Sequence, residues 1–271
     1  MLLYTVGEIC FRTKAIAIHK KYFFFDYDGT LAAPLTQTIP ASALEAIRRL
    51  RQAGHFVGLA TGRLQANALD YVQSCGITTL VADGGNSVTL DGKLVWMESM
   101  PVGPCKDLLH RLDAQGIPWA VMTENVMRRY SRSEAFEMAS SDAYAPTVVA
   151  PNLSIDSLST IYKMFVPLAP EDEHVVDFGS VSHTRYDAQC VFCEPTDKSI
   201  GIKKLCDIIG APYKDVVVFG DCYNDLNMFI PEWTSIAMDN GREPLKQKAD
   251  YVTSRYDEDG ILRAVEHFGW I

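Results

Sequence analysis

Short apolar runs alternate with amphipathic helical segments at the start of the chain. Strands are predicted at 21–25, 56–60 and 79–82, where the residues are mostly apolar. Helices are predicted at 41–53 and 64–75, each followed by a glycine that favours a helix end. Strands and helices that alternate in this order form parallel strand pairs joined by right-handed crossovers.

The last third of the chain repeats this pattern and extends the predicted sheet. The elements expected there are a helix at 198–209, strands at 215–220, 234–238 and 250–253, a short helix at 243–249 and a final helix at 260–268. Both ends of the chain therefore predict one α/β fold, a doubly wound, Rossmann-like parallel sheet.

The middle of the chain follows a different pattern. Residues 87–97 read as a hairpin with Asp91-Gly92 at its turn, and a helix near 103–115 and further strand-like runs follow. This is an α+β pattern, so we interpret residues 87–189 as an inserted cap domain. The core domain is then discontinuous, with segments at 1–86 and 190–271.

Composition limits the partners and the compartment. The chain has 271 residues and a formal net charge of −9, which argues against nucleic acid or an anionic membrane but permits a small phosphorylated metabolite. No apolar stretch approaches the roughly 20 residues that span a bilayer, and the N-terminus does not resemble a signal peptide. Seven scattered cysteines suit a reducing cytoplasm, and we interpret the pair Cys190 and Cys193 as buried thiols.

Three predicted strands end in polar residues. Asp26 and Asp28 follow the first strand, Thr61-Gly62-Arg63 follows the second, and the segment 220–225 (GDCYND) follows a later one. Because ligands bind at the carboxyl ends of strands in such sheets, these groups are expected to share one cleft. Clustered carboxylates are unfavourable alone but suit a hard dication such as Mg²⁺.

Each of these segments also has a simpler interpretation when it is taken alone. The run DYDGT could be a turn, TGR a helix N-cap, and GDCYND a solvated loop. The chain lacks a P-loop pattern and the G-x-S-x-G pattern of serine hydrolases. An aspartate could still act as a nucleophile and form an aspartyl-phosphate.

With these motifs in order, the chain resembles the haloacid dehalogenase superfamily of phosphatases, and in particular its Cof-type group with a large α/β cap (class IIB). The resemblance covers nearly the whole chain beyond residue 20. The motif D-x-D-G-T-L matches 26–31, the strand-closing threonine matches Thr61, the lone lysine that opens a helix matches Lys198, and G-D-x-x-N-D matches 220–225.

The resemblance implies roles for the acidic residues. Asp26 would be the nucleophile, and Asp28 would protonate the leaving group and then activate water. Asp26, the backbone carbonyl of Asp28, and Asp221 would ligate Mg²⁺, with Asp225 behind them or reaching the metal through water.

The resemblance also implies which residues bind the substrate. Thr61, the Gly62 N–H and Lys198 would hold the phosphoryl oxygens and stabilise charge in the transition state. Asn224 would help to place the substrate, and Arg63 would contact the substrate or tie the cap to the core.

The implied function is a Mg²⁺-dependent phosphatase that acts on small phosphomonoesters, most plausibly sugar phosphates. The alternatives are a phosphomutase or a dedicated sugar-phosphate phosphatase with the same aspartate, or a non-catalytic binding module that keeps the fold. The sequence leaves the substrate and the oligomeric state open.

Two features depart from the pattern of the group. The chain has about 20 residues before the first strand, which could add an edge strand, serve an oligomer contact or reflect an upstream start. Cys222 lies next to the expected metal ligand Asp221, where its oxidation could inhibit the enzyme.

Overall fold

A computed structural model describes residues 19–34, 36–140, 142–186 and 188–271. The expectations for the N-terminal extension therefore fall almost wholly outside the described residues. The strands are β1 (Tyr22–Phe25), β2 (Phe56–Ala60), β3 (Leu80–Ala82), β4 (Ser87–Leu90), β5 (Lys93–Met97), β6 (Ala120–Met122), β7 (Arg129–Ser131), β8 (Thr147–Val149), β9 (Lys163–Val166), β10 (His183–Arg185), β11 (Val191–Cys193), β12 (Val216–Gly220), β13 (Thr234–Met238) and β14 (Tyr251–Thr253).

The α-helices match the helical segments expected from the sequence, except that α4 was not predicted. They are α1 (Ala41–Gln52), α2 (Gln65–Ser74), α3 (Val102–Gln115), α4 (Ala135–Ala139), α5 (Lys198–Ile209), α6 (Glu243–Lys248) and α7 (Gly260–His267). Short 3₁₀ turns follow β3 at Asp83–Gly85 and β12 at Tyr223–Met228.

The first sheet has eight strands in the order β14-β13-β12-β1-β2-β3-β4-β5. The six strands from β14 to β3 are parallel, and β4 and β5 continue the sheet in antiparallel fashion. The predicted doubly wound α/β fold is confirmed.

Strand β1 lies in the middle of the parallel part, which explains its aromatic run. Successive side chains of a strand face opposite sides of a sheet. Phe23 and Phe25 pack in one apolar cluster with α1, α2 and α7, whereas Phe24 packs in a second cluster with α5 and α6. All three rings are fully buried, so β1 is held from both faces and its carboxyl end has a fixed position.

The second sheet has six strands in the order β10-β11-β9-β6-β7-β8. Its pairs are antiparallel except for β7 with β8. Helix α3 packs on one face through Cys105, Leu108, Leu109 and Leu112, which contribute to a separate apolar cluster. We refer to the part of the chain from α3 to β11 as the cap.

Sheet membership differs from the expected domain boundaries at both edges. The hairpin β4–β5 extends the first sheet, although residues 87–189 were assigned to the inserted domain. Strand β11 pairs with β9 in the second sheet, although residues 190–271 were assigned to the core. Both pairings satisfy backbone groups at strand edges, and local patterns do not reveal which sheet a strand joins. The division into two domains remains a prediction.

Two smaller expectations concern cysteines and membranes. Cys190 and Cys193 are both buried, as predicted. Across the described parts of the chain, no helix combines the length and apolar character needed to cross a bilayer.

Candidate active site

The carboxyl ends of β1 and β12 bring three aspartates together. Asp26 follows β1, Asp221 follows β12, and Asp225 lies in the 3₁₀ turn after it. One carboxylate oxygen from each lies within 4.8 Å of the others. The expected meeting of the first and fourth motifs is therefore observed.

Lys198 joins this acidic cluster from the first turn of α5. Its Nζ lies 2.5 Å from Asp26 Oδ1 and 2.6 Å from Asp225 Oδ1, and the side chain is fully buried. Asp197 caps the helix by accepting a hydrogen bond of 3.0 Å from the Ser199 N–H. The cap fixes the helix start, and the helix start places the lysine between the two carboxylates.

Asp225 holds the turn that presents Asp221. Its Oδ2 accepts hydrogen bonds from the backbone N–H groups of Asp221 and Cys222, at 2.9 Å and 3.0 Å. Its Oδ1 contacts Lys198, so both oxygens have partners in the protein. Its expected place behind the metal ligands remains a prediction.

Two residues of the first motif shape the approach of Asp221 to Asp26. The Thr30 hydroxyl donates a hydrogen bond of 2.8 Å to Asp221 Oδ1. Gly29 has φ +88°, and a Cβ at this position would lie only 2.4 Å from Asp221 Oδ2. Only glycine leaves room for this contact in that backbone conformation. No role was predicted for Thr30, although the D-x-D-G-T run was the available signal.

Among the described residues, the cluster contains three carboxyl groups but only one lysine. Burial raises the pKa of Asp26 well above its usual value, the Asp225 charge raises it further, and Lys198 opposes both. Burial and Asp225 raise the pKa of Asp221 to about 7. Burial lowers the pKa of Lys198, but the charges of Asp225 and Asp26 outweigh it, and the net shift is upward. Lysine alone therefore does not balance the three acids.

The donor set fits a hard divalent cation. Mg²⁺ prefers carboxylate oxygens, usually binds few of them, and keeps water or substrate oxygens in its other positions. Asp26 and Asp221 are the carboxylates best placed to hold it, because the oxygens of Asp225 are already engaged. A dication here would relieve the repulsion that raises the pKa values of Asp26 and Asp221.

The side chain of Asp28 is not part of this cluster. Its two oxygens accept hydrogen bonds from Arg63, at 2.8 Å from Nε and 2.7 Å from Nη2. The guanidinium also lies over the ring of Tyr71, 4.3 Å from its centroid. Arg63, for which two roles were left open, therefore pairs with the expected acid–base residue.

The turn after β2 approaches the cluster from the neighbouring strand. Thr61 is buried, and its Oγ1 accepts a hydrogen bond of 3.2 Å from the Arg63 N–H. A Cβ added to Gly62 would lie 3.5 Å from Nδ2 of Asn224. The Oδ1 atom of Asn224 is buried and has no hydrogen-bond partner among the described residues. The second and fourth motifs therefore meet at Gly62 and Asn224.

Cap residues that the sequence analysis did not identify also reach this turn. Lys163 on β9 donates a hydrogen bond to the Gly62 carbonyl and forms an ion pair with Glu194. The Tyr186 hydroxyl donates to the same glutamate. Single polar residues in a cap carry no spacing signal, and the position of Glu194 four residues before Lys198 was the one available hint.

Comparison with known proteins agrees with this geometry. A model of haloacid dehalogenase-like hydrolases matches residues 23–265. The 5-amino-6-(5-phospho-D-ribitylamino)uracil phosphatase YitU of Bacillus subtilis is 26% identical over 264 residues, which cover 90% of this chain and 95% of YitU. A solved structure described as the subclass IIB sugar phosphatase BT4131 is 27% identical, with a TM-score of 0.75, and the match covers 93% of this chain and 100% of the other.

One relative is much longer. A Streptococcus pyogenes protein named as a bifunctional phosphatase and peptidyl-prolyl cis-trans isomerase is 28% identical over 257 residues, covering 93% of this chain and 54% of that protein. The chain thus spans about half the length of that relative.

The fold, the cluster and these matches define a class of enzyme, a phosphoric monoester hydrolase built on an α/β sheet with an inserted cap. The chain belongs to the haloacid dehalogenase-like hydrolase family. The family resemblance carried by the four motifs is confirmed.

Proposed function

We propose that the chain is a Mg²⁺-dependent phosphatase of small phosphomonoesters that works through an aspartyl-phosphate on Asp26. The observation that carries the proposal is the cluster itself. Asp26 ends a fully buried strand, lies beside Asp221 and contacts a buried lysine at 2.5 Å. A rigid carboxylate in poorly solvated surroundings is suited to nucleophilic attack once its charge is balanced.

The residues that would hold the metal are Asp26 and Asp221, with the Asp28 backbone carbonyl added by the family resemblance and Asp225 behind them. When bound, Mg²⁺ supplies positive charge that offsets the charges of the carboxylates and of the substrate phosphate.

The reaction has two steps. An oxygen of Asp26 attacks phosphorus, the ester P–O bond breaks, and the leaving oxygen takes a proton from Asp28. Water then attacks phosphorus and gives a proton to Asp28, and the bond between phosphorus and Asp26 breaks to release phosphate. General acid–base assistance of this kind contributes about 10²–10⁴-fold to the rate.

Arg63 adds a requirement to this scheme. Both carboxylate oxygens of Asp28 accept hydrogen bonds from the guanidinium. Asp28 must therefore leave Arg63 before it can reach the leaving group.

The phosphoryl oxygens are assigned to the groups that surround Asp26. Lys198 supplies charge at the nucleophile, and Thr61 and the Gly62 N–H supply hydrogen-bond donors from the turn after β2. Asn224 contributes its amide near the same turn, where its Oδ1 has no described partner.

The substrate class rests on relatives and on the cap. BT4131 is described as a sugar phosphatase, and YitU acts on a phosphoribityl compound, so a sugar or polyol phosphate is the expected substrate. An inserted cap would surround the leaving group, exclude water and set specificity. The seven scattered cysteines favour a reducing compartment such as the cytoplasm as the location of the enzyme.

The test is phosphate release from p-nitrophenyl phosphate with and without Mg²⁺. Wild-type protein should require the metal, Asp26→Asn should reduce kcat by at least about 10³-fold, and Asp91→Asn should retain full activity. The control changes a carboxylate in a hairpin turn where Asn-Gly is equally suitable. Full activity in Asp26→Asn would rule out the nucleophile, and isomer interconversion without phosphate release would identify a phosphomutase.

A further inference from the structure

Cap side chains bind the backbone of the turn that follows β2. We call residues 61–66 the phosphate turn, because it carries two of the groups assigned to the phosphoryl oxygens. Three hydrogen bonds link its backbone to the cap, from Lys163 Nζ to Gly62 O (3.2 Å), from Leu64 N–H to the Tyr144 hydroxyl (3.1 Å) and from Ala66 N–H to Asn125 Oδ1 (3.0 Å).

Helix α2 has no side-chain hydrogen bond from its own N-cap residue, and other residues supply the missing acceptors. The residue at the N-cap is Leu64, whose apolar side chain cannot accept a hydrogen bond. The first free amides of a helix need acceptors, and two of them find these in Asp83, at 3.2 Å from Gln65 N, and in Asn125 of the cap.

Asn125 makes a second contact that fixes its orientation. Its Nδ2 donates to the Gln65 carbonyl oxygen Oε1 at 2.6 Å, while the Gln65 amide donates to Thr89 of the first sheet at 2.9 Å. Gln65 is almost fully buried, so this chain of hydrogen bonds is shielded from water. The start of α2 therefore depends on a cap side chain that is itself held in one orientation.

Lys163 acts on the peptide that orients Thr61. The ammonium holds the carbonyl of the Gly62–Arg63 peptide, and the N–H of the same peptide donates to Thr61 Oγ1 at 3.2 Å. Thr61 Oγ1 thus already accepts a hydrogen bond, which leaves its own O–H free to donate to a phosphoryl oxygen. Clamping this peptide from the cap therefore sets the direction of the Thr61 donor.

The ion pair with Glu194 keeps Lys163 in place. Both side chains are almost fully buried, with exposed fractions of 2% and 3%. Burial lowers the pKa of Lys163 to about 8, and the charge of Asp83 opposes this lowering.

We infer that Lys163, Tyr144 and Asn125 are positioning residues, through which the cap sets the affinity of the phosphate turn for phosphate without touching the phosphate. This inference rests on the proposed function. All three hydrogen bonds end on backbone groups of residues 61–66. Packing of the cap against the first sheet could be achieved through other segments and does not by itself require contacts to this one. Phosphate binding should therefore weaken when these side chains are changed, even for a substrate that makes few cap contacts.

Tyr144→Phe is the first test, because it removes only the hydroxyl. The ring keeps its contacts with Phe165 and Phe192, at centroid distances of 5.5 Å and 5.7 Å. The inhibition constant for inorganic phosphate should rise about three- to tenfold, which is the effect of one ordinary hydrogen bond. Tyr130→Phe is the matched control, since it removes a cap hydroxyl that donates to the exposed Glu124, and it should change the constant by less than about twofold.

A double variant tests Lys163 without leaving a buried charge unpaired. Lys163→Met combined with Glu194→Gln should raise the phosphate inhibition constant more, about ten- to 100-fold, because the hydrogen bond to Gly62 is charge-assisted. Amide hydrogen exchange in 61–66 should accelerate in this variant and in Tyr144→Phe, while exchange in β9 stays unchanged.

The outcomes separate this inference from the proposed function. Unchanged exchange in 61–66, faster exchange throughout the cap, or an unchanged inhibition constant would each overturn the positioning role. If wild-type protein releases no phosphate from p-nitrophenyl phosphate, the proposed function fails, and the exchange data still report whether the cap residues hold the turn.

Discussion

Gly29→Ala should damage the metal site far more than it damages the fold. Gly29 has φ +88°, which costs a residue with a side chain about 1–2 kcal/mol. The added Cβ would also lie 2.4 Å from Asp221 Oδ2, so that oxygen must move by roughly 1 Å to reach ordinary contact. Because a displacement of about 1 Å can lower a rate by about 10²-fold, kcat/KM should fall by that factor.

Gly54→Ala is a closely matched control for the backbone term. Gly54 has φ +89°, and a Cβ there would have no neighbour within 4 Å. Both variants should therefore lose a similar free energy of unfolding, about 1–2 kcal/mol, but only Gly29→Ala moves Asp221.

The assays are urea denaturation and hydrolysis of p-nitrophenyl phosphate over a range of Mg²⁺ concentrations. Gly29→Ala should also need more Mg²⁺ for half-maximal activity, whereas Gly54→Ala should stay within about twofold of wild type. The reasoning is refuted if the two variants have equal kcat/KM, because the contact with Asp221 would then have no effect on the site.

Three further predictions concern charge. Lys198→Met leaves Asp26 and Asp225 without their buried cation, so it should lower the free energy of unfolding by about 3–5 kcal/mol and abolish turnover. The control Lys214→Met, at the surface, should do neither. Near-normal stability of Lys198→Met in urea would contradict this prediction. Burial raises the pKa of Asp83 to about 6, above the unfolded value near 3.9. The folded protein therefore binds the Asp83 proton more tightly than the unfolded chain does, and it loses stability as pH rises from about 4 to 6. In urea titrations, the stability of Asp83→Asn relative to wild type should therefore grow by about 2–3 kcal/mol between pH 4 and 7, and a difference independent of pH would show that Asp83 does not titrate in this way. Removing divalent ions with EDTA should abolish activity, and added Mg²⁺ should restore it. Added Mg²⁺ should also raise the Tm of wild-type protein but not that of Asp221→Asn. Equal Tm responses would place the ion elsewhere.

The parts of the fold that follow from local patterns were predictable. The aromatic run of β1 and the helices α1 and α5 each carry their own burial pattern, and the structure places them within a residue or two of the expected bounds. The meeting of Asp26 and Asp221 was also predictable, because parallel strands end at the same edge of a sheet, whereas Lys198 was assigned to the site by the family resemblance.

The assignment of strands to sheets was not predictable from those patterns. The hairpin β4–β5 adds to β3, and nothing in the composition of the hairpin tells whether it joins the first sheet or the cap. The pairing of Asp28 with Arg63 depends on the path of two loops, so the sequence identified both residues but not their contact.

The cap contacts were missed for a related reason. Lys163, Tyr144 and Asn125 stand alone among apolar or irregular neighbours, and single polar residues carry no periodicity. Their partners are backbone groups, which any sequence offers at every position. Only the packed structure shows that these three side chains reach the same turn.

Trapping the phosphorylated enzyme tests the role of Asp26 most directly. Borohydride reduces an acyl phosphate to an alcohol, so protein quenched during turnover and reduced should carry homoserine at position 26, as read by peptide mass spectrometry. We predict that this product appears only with substrate and Mg²⁺ together. Modification at another aspartate, or continued turnover with no modification at Asp26, would contradict the proposed nucleophile.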